Sequence, residues 1–151
     1  MTSRISVVTI NVIDADRVAH FWCAALGWKR SDAQDEGLVS IEPVDGSWPT
    51  IDFATVPEPK SGINRLHFDL RADGVGFDHE LDRLLKLGAT RVDVGQPEDV
   101  TWVVLADPEG NEFCLLRRTV QEVNAGREAT PSASAIAEPV HEPAQEPTPD
   151  G

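Results

Sequence analysis

The stretch "VVLADPEGNEFCLL", residues 103 to 116, decides how this chain folds. Two apolar runs flank Asp107, Pro108, Glu109, Gly110 and Asn111, residue types that favour a tight reversal, so the chain doubles back there. In the strand that follows, side chains alternate between two faces, which puts Glu112, Cys114 and Leu116 on one side. Asp107 and Glu109 read as formers of the turn, not as catalytic groups.

Working back from the turn, "KLGATRV" closes a helix whose buried stripe is Phe77, Leu81, Leu84 and Leu85, with Asp73 as a possible cap and Gly88 as its stop. Ahead of that helix, "NRLHFDL" (64–70) reads as a strand. The first half of the chain repeats this order about sixty residues earlier. There "ISVVTINVI" is a β-branched strand and Asp14 can cap a helix. Its stripe is Val18, Phe21, Trp22, Ala25 and Leu26, and "ALGWKR" ends it at Gly27. Three short strands are expected after each helix, at 28–32, 37–43 and 50–56, then at 90–94, 101–106 and 111–118. Each half is βαβββ and has an apolar sheet face it cannot cover alone. The fold class is therefore α+β, two modules forming a curved mixed sheet around a pocket, with helices outside.

The duplicated order, the helix "DADRVAHFWCAALGW", the strand "NRLHFDL" and above all "VVLADPEGNEFCLL" resemble the vicinal oxygen chelate superfamily, in particular its glyoxalase-like and bleomycin-resistance-type small proteins. The resemblance covers about residues 4–118, with modules at about 4–57 and 63–118. It implies a concave pocket and a homodimer. It also implies one of several activities: a metal-dependent lyase or isomerase, a ring-cleaving dioxygenase, a thiol transferase, or an antibiotic-sequestering resistance protein. Metal sites in that superfamily draw His and Glu from the first and last strands of each half. On this chain His67 is the one clean match. The corresponding first-strand residue is Val7, the last-strand Glu position holds Cys114, and the nearest carboxylate in the first module's last strand is Asp52.

The residues bear on chemistry as follows. His67, Cys114 and Asp52 are a possible metal triad, but a thiolate in place of a carboxylate favours zinc or copper over harder ions. Cys114 is flanked by Phe113 and Leu115, and an apolar setting keeps a thiol protonated. His67 and Cys114 are also the catalytic candidates, as a thiolate–imidazolium couple across neighbouring strands. His67 shares its face with Arg65 and Asp69, so an ion-paired structural role stands beside the functional one. Thr9, Asn11, Asp52, His67, Trp102, Glu112 and Cys114 are the candidate ligand contacts; Trp48 is another possible pocket-wall residue, Trp22 reads as core, and His20 and His79 as solvated. The leading expectation is a pocket that binds a small organic molecule with an incomplete family metal site. A metal-dependent lyase or dioxygenase using His67 is the alternative, and a sequestering protein the second.

Composition narrows the partners. The chain has 151 residues, 40% of them hydrophobic, and a net charge of −13 with pI near 4.5, which disfavours nucleic acid and anionic membranes. No apolar run approaches the roughly 18 residues of a membrane span. Cys23 and Cys114 lie on separate elements and the N-terminus does not read as a signal peptide, so a cytoplasmic protein with free thiols is expected. Residues 122–151, rich in Pro, Ala, Ser and Glu, read as a disordered acidic tail that includes His141.

Overall fold

A computed structural model describes residues 2–128. Two four-stranded mixed sheets carry the architecture. The first holds β1 (Val7–Val12), β2 (Lys29–Asp35), β3 (Leu38–Glu42) and β4 (Thr50–Thr55), in the order β1-β4-β3-β2. The second holds β5 (Asp69–Arg71), β6 (Thr90–Arg91), β7 (Trp102–Ala106) and β8 (Glu112–Leu116), in the order β5-β8-β7-β6. In each sheet the first strand runs parallel to the last and the remaining pairs are antiparallel, as a duplicated module requires. Helix α1 (Ala15–Leu26) follows β1 and α2 (Phe77–Leu87) follows β5.

Local chemistry explains the helix ends. Asp14 accepts a hydrogen bond from the Arg17 N–H at the start of α1, and Gly27 ends the helix with a φ of 66°. Gly88 ends α2 in the same left-handed region. The start of α2 departs from the sequence expectation. Its N-cap is Gly76, while the Asp73 carboxylate accepts from Gln121 Nε2 at 2.6 Å.

Two further departures concern strand and tail boundaries. The strand expected over 64–70 is formed only at Asp69–Arg71, because β8 offers three residues of parallel pairing there and residues 64–67 turn away over the space between the modules. β6 is likewise reduced to two residues. Beyond β8, a third helix, α3 (Val120–Glu128), occupies the first part of the expected tail. Its start is a capping box: Thr119 Oγ1 accepts from the Glu122 N–H and Glu122 accepts from the Thr119 N–H. The Val120 N–H then bonds to the Ala72 carbonyl. Residues 129–151 of the expected tail lie outside the described residues. None of the described helices is long and apolar enough to cross a membrane.

One core serves both modules. Val12, Val18, Phe21, Trp22, Ile51 and Phe53 from the first half join Leu81, Leu84, Leu105, Phe113 and Leu115 from the second. Trp22 is 1% exposed and lies edge-on to Phe68 and Phe113, with ring centroids 5.4 and 5.1 Å away. The 107–111 turn fastens this junction. Asp107, 3% exposed, accepts from Trp22 Nε1 at 3.2 Å with one carboxylate oxygen, and from the N–H groups of Glu109 and Asn111 with the other. Glu109 reaches across to accept from the N–H groups of Ile13 and Asp14, at 2.7 and 2.6 Å, just ahead of α1.

Replacing Asp107 by Ala strands a buried indole N–H and two turn N–H groups. The expected loss is about 2–4 kcal/mol in urea unfolding, against less than about 0.5 kcal/mol for Glu98→Ala on an exposed loop.

Candidate functional site

β1 and β5 are both edge strands, and the free edge of β1 faces the segment that leads into β5. Between them opens a cleft of about 890 Å³. Val8, Ile10, Trp22 and Phe68 contribute apolar wall; Thr9, Asn11, Asn64, Arg65, His67 and Glu112 contribute polar groups. Such a mixture of apolar surface with a few directed polar groups is what small-molecule sites share.

Four sequence candidates, Thr9, Asn11, His67 and Glu112, therefore line one cleft. The other three lie elsewhere. Asp52 is the register partner of Thr9 but accepts from Ser40 Oγ at 2.6 Å on the open face of the first sheet. Trp102 borders a separate depression with Arg91, Gln96 and Val100. Cys114 is buried between its register partners Asp69 and Val104. The remaining aromatic and imidazole readings resolve simply: Trp22 is core, Trp48 is 62% exposed, and His20 and His79 are exposed.

Glu112 does not point a free carboxylate into the cleft. Its oxygens accept from Lys60 Nζ at 2.8 Å and from the Asn64 N–H at 3.0 Å, which ties the inter-module linker to the start of β8. Burial alone would raise its pKa, yet the bonds from Lys60 and Asn64 outweigh that and hold it below the usual carboxylate range. Asn64 opens a segment that reads as a strand and Lys60 lies before it, and neither reading points to Glu112 about fifty residues on, so sequence alone offered no signal for this tie.

His67 Nε2 lies 3.3 Å from Asp69 Oδ1, both side chains being about half exposed. With Cys114 they form a group whose donor atoms all lie within 4.8 Å of one another. The expected thiolate–imidazolium couple meets a physical obstacle in this arrangement. Burial, and then the Asp69 carboxylate beside the thiol, push Cys114 up to about 11, whereas a nucleophilic thiolate needs its pKa lowered. The metal set implied by the resemblance does not fit this chain either. Val7 offers no donor atom, Asp52 is engaged by Ser40, and the third member of the observed group is Asp69. Asp69 was legible only as a same-face neighbour of His67 through alternation.

A family model described as a glyoxalase-like domain matches residues 7–116. No curated protein matches the chain in sequence. Among solved structures, a glyoxalase/bleomycin resistance protein/dioxygenase family enzyme from Burkholderia phytofirmans PsJN is 21% identical with a TM-score of 0.57, over 75% of this chain and 97% of that one. The fosfomycin resistance protein FosX from Mesorhizobium loti is 19% identical with a TM-score of 0.60, over 83% and 99%. An antibiotic binding protein, TnmS3 from Streptomyces sp. CB03234, is 17% identical with a TM-score of 0.54, over 76% and 95%. At these identities the likeness establishes the fold.

Two expected outcomes follow from the electrostatics. Asp69→Asn removes the negative charge facing the thiol, so in a Cys23→Ser background the Cys114 thiolate absorbance should appear at lower pH, with alkylation rising about tenfold per unit regained. Glu112 is more acidic folded than unfolded, so its contribution to stability is present above the ordinary carboxylate pKa of about 4.3 and is lost as pH falls through the lower folded value. Urea midpoints of Glu112→Gln should therefore lie below those of the parent at pH 7 and converge with them in acid.

Proposed function

The chain belongs to the glyoxalase-like domain family, and from that footing we propose that it binds a small organic molecule in the cleft between its two modules. The observation that carries this reading is the cleft itself: about 890 Å³, walled by Val8, Ile10, Trp22 and Phe68, and edged by Thr9, Asn11, Asn64 and His67. Such a volume suits a drug-sized or metabolite-sized ligand. Apolar parts of the ligand rest on the aromatic and aliphatic wall, while the hydroxyl, amide and imidazole groups fix its orientation. His67 can accept or donate a proton to the bound molecule, and Asp69 steadies its imidazole.

Binding without turnover accords best with the residues present, since Cys114 is held protonated and the inherited metal positions are broken at Val7. TnmS3, an antibiotic binding protein, gives a second reading, sequestration of an antibiotic, a precedent on the same fold. A metal-dependent lyase or dioxygenase using His67 has less support, because the donors that such chemistry draws from both modules are missing from the first. We also read the protein as cytoplasmic and homodimeric. Two free cysteines accord with the first, and exposed Ile5, Val7, Ile63 and Leu66 with the second.

A panel of aromatic metabolites and antibiotics, screened by thermal shift and then by equilibrium dialysis, tests the reading. A true ligand at about a hundred times its Kd should stabilise the fold by about 2.7 kcal/mol and be recovered chemically unchanged. Thr9→Phe, which fills the cleft from an exposed position, should abolish that shift while leaving the ligand-free melting temperature within a few degrees. Conversion of the compound to product would overturn binding without turnover.

A further inference from the structure

We propose that the molecule held in the cleft is a short extended peptide, which pairs as an added strand with the free edge of β1. This rests on the cleft reading and names the class of its ligand. The edge is defined by the ladder on the other side of β1. In a parallel pair, the main-chain groups of every second residue point to the neighbouring strand and those between point away. The Thr50 N–H bonds to the Ser6 carbonyl and the Val56 N–H to the Val12 carbonyl, at 3.0 and 2.8 Å, so Ser6, Val8, Ile10 and Val12 face β4. Val7, Thr9 and Asn11 therefore turn their N–H and C=O groups to the side on which β1 has no strand.

The next donor in that series is already taken. The Ile13 N–H, two residues beyond Asn11, bonds to the Glu109 carboxylate at 2.7 Å, which closes the edge at that end. Val7, Thr9 and Asn11 are exposed, and their main-chain groups make no such bond among the described residues. A row of donors and acceptors recurring every second residue, about 6.6 Å apart, matches another extended chain of amides better than a compact molecule. Val8, Thr9, Ile10 and Asn11 all line the cleft, and Asn64 to Phe68 form the opposite wall. That stretch of β1 rises about 13 Å, room for about four residues of an added strand. Side chains of the added strand alternate as those of β1 do. One set lies beside Val8 and Ile10, next to Trp22 and Phe68, and suits apolar residues; the other lies beside Thr9 and Asn11. Glu58 and Arg65 also line the cleft, are exposed and form no ion pair among the described residues, so they offer opposite counter-charges to the two ends of a free peptide.

The experiment incubates the full-length protein with a library of free tetrapeptides and identifies those retained on ultrafiltration by mass spectrometry. Peptides with apolar residues at alternate positions should be retained by the parent and not by Thr9→Phe, which fills the cleft. A retained peptide is then N-methylated one residue at a time. Affinity should fall more than roughly tenfold at alternate residues, whose N–H groups meet β1, and less than about threefold at those between. Thr9→Pro removes one edge donor and no bond to β4, a position where an edge strand tolerates proline, and should weaken binding about tenfold. Circular dichroism checks its fold; if it fails to fold, the N-methyl series reads the same contact on the parent protein. The proposal is overturned by the absence of any retained peptide, by equal retention on Thr9→Phe, or by an N-methyl series without the two-residue period. A dimer that Thr9→Pro dissociates overturns it too, since the edge then belongs to a second copy. Binding of a non-peptidic compound from the aromatic panel, with no peptide retained, sinks this inference and leaves the cleft reading standing; binding of neither sinks both.

Discussion

The hydrogen bond from the Trp22 indole to Asp107 is the contact on which the rest of this molecule depends. It joins a helix of the first module to a turn of the second, deep in the protein where neither group has water as an alternative partner. Glu109, two residues on, satisfies the N–H groups of Ile13 and Asp14 and so fixes where α1 begins. Trp22 is thereby held against Phe68 and Phe113, and the two half-cores become one. At the far end of α1, Arg83 donates to the Ala24 and Ala25 carbonyls while its guanidinium is paired with Glu80. Both ends of the first helix are thus secured by the second module, and the sheets beneath it are held in a fixed relation.

That fixed relation creates the cleft. β1 has β4 on one side and no strand on the other, and β5 likewise has only β8. Two unpaired edges would ordinarily be a liability for aggregation. Here the inter-module linker runs across the gap and is tied down by Glu112 through Lys60 and Asn64. The same carboxylate that shapes the cleft wall is therefore removed from chemistry, which is why a conspicuous acid on the strand after the turn acts as a structural anchor. Other polar groups that line the cleft include Thr9, Asn11, Asn64, Arg65 and His67, spread along an apolar surface.

Chemistry at the edge of the cleft is governed by Asp69. Its carboxylate lies 3.3 Å from His67 Nε2 and beside the Cys114 thiol, where it adds to burial in keeping that thiol protonated. A cysteine nucleophile requires the opposite arrangement.

Much of this was legible in the residues. Alternation along 112–116 placed Cys114 with Glu112 on one face, the helical stripe placed Trp22 in the core, and Gly27 and Gly88 marked the helix ends, because each signal is local and repeats with the period of its element. The capping box of Thr119 and Glu122 was also written in the chain, yet the low-complexity composition around it obscured it. What only the tertiary structure decided is which polar groups spend their hydrogen bonds on one another. Asp107 on Trp22, Glu109 on Ile13 and Asp14, and Glu112 on Lys60 are pairings set by how two modules meet. They join residues about fifty to a hundred positions apart. Local propensity and spacing carry no information about such distances, so the sequence determined the modules and their faces while packing determined the cleft and its chemistry.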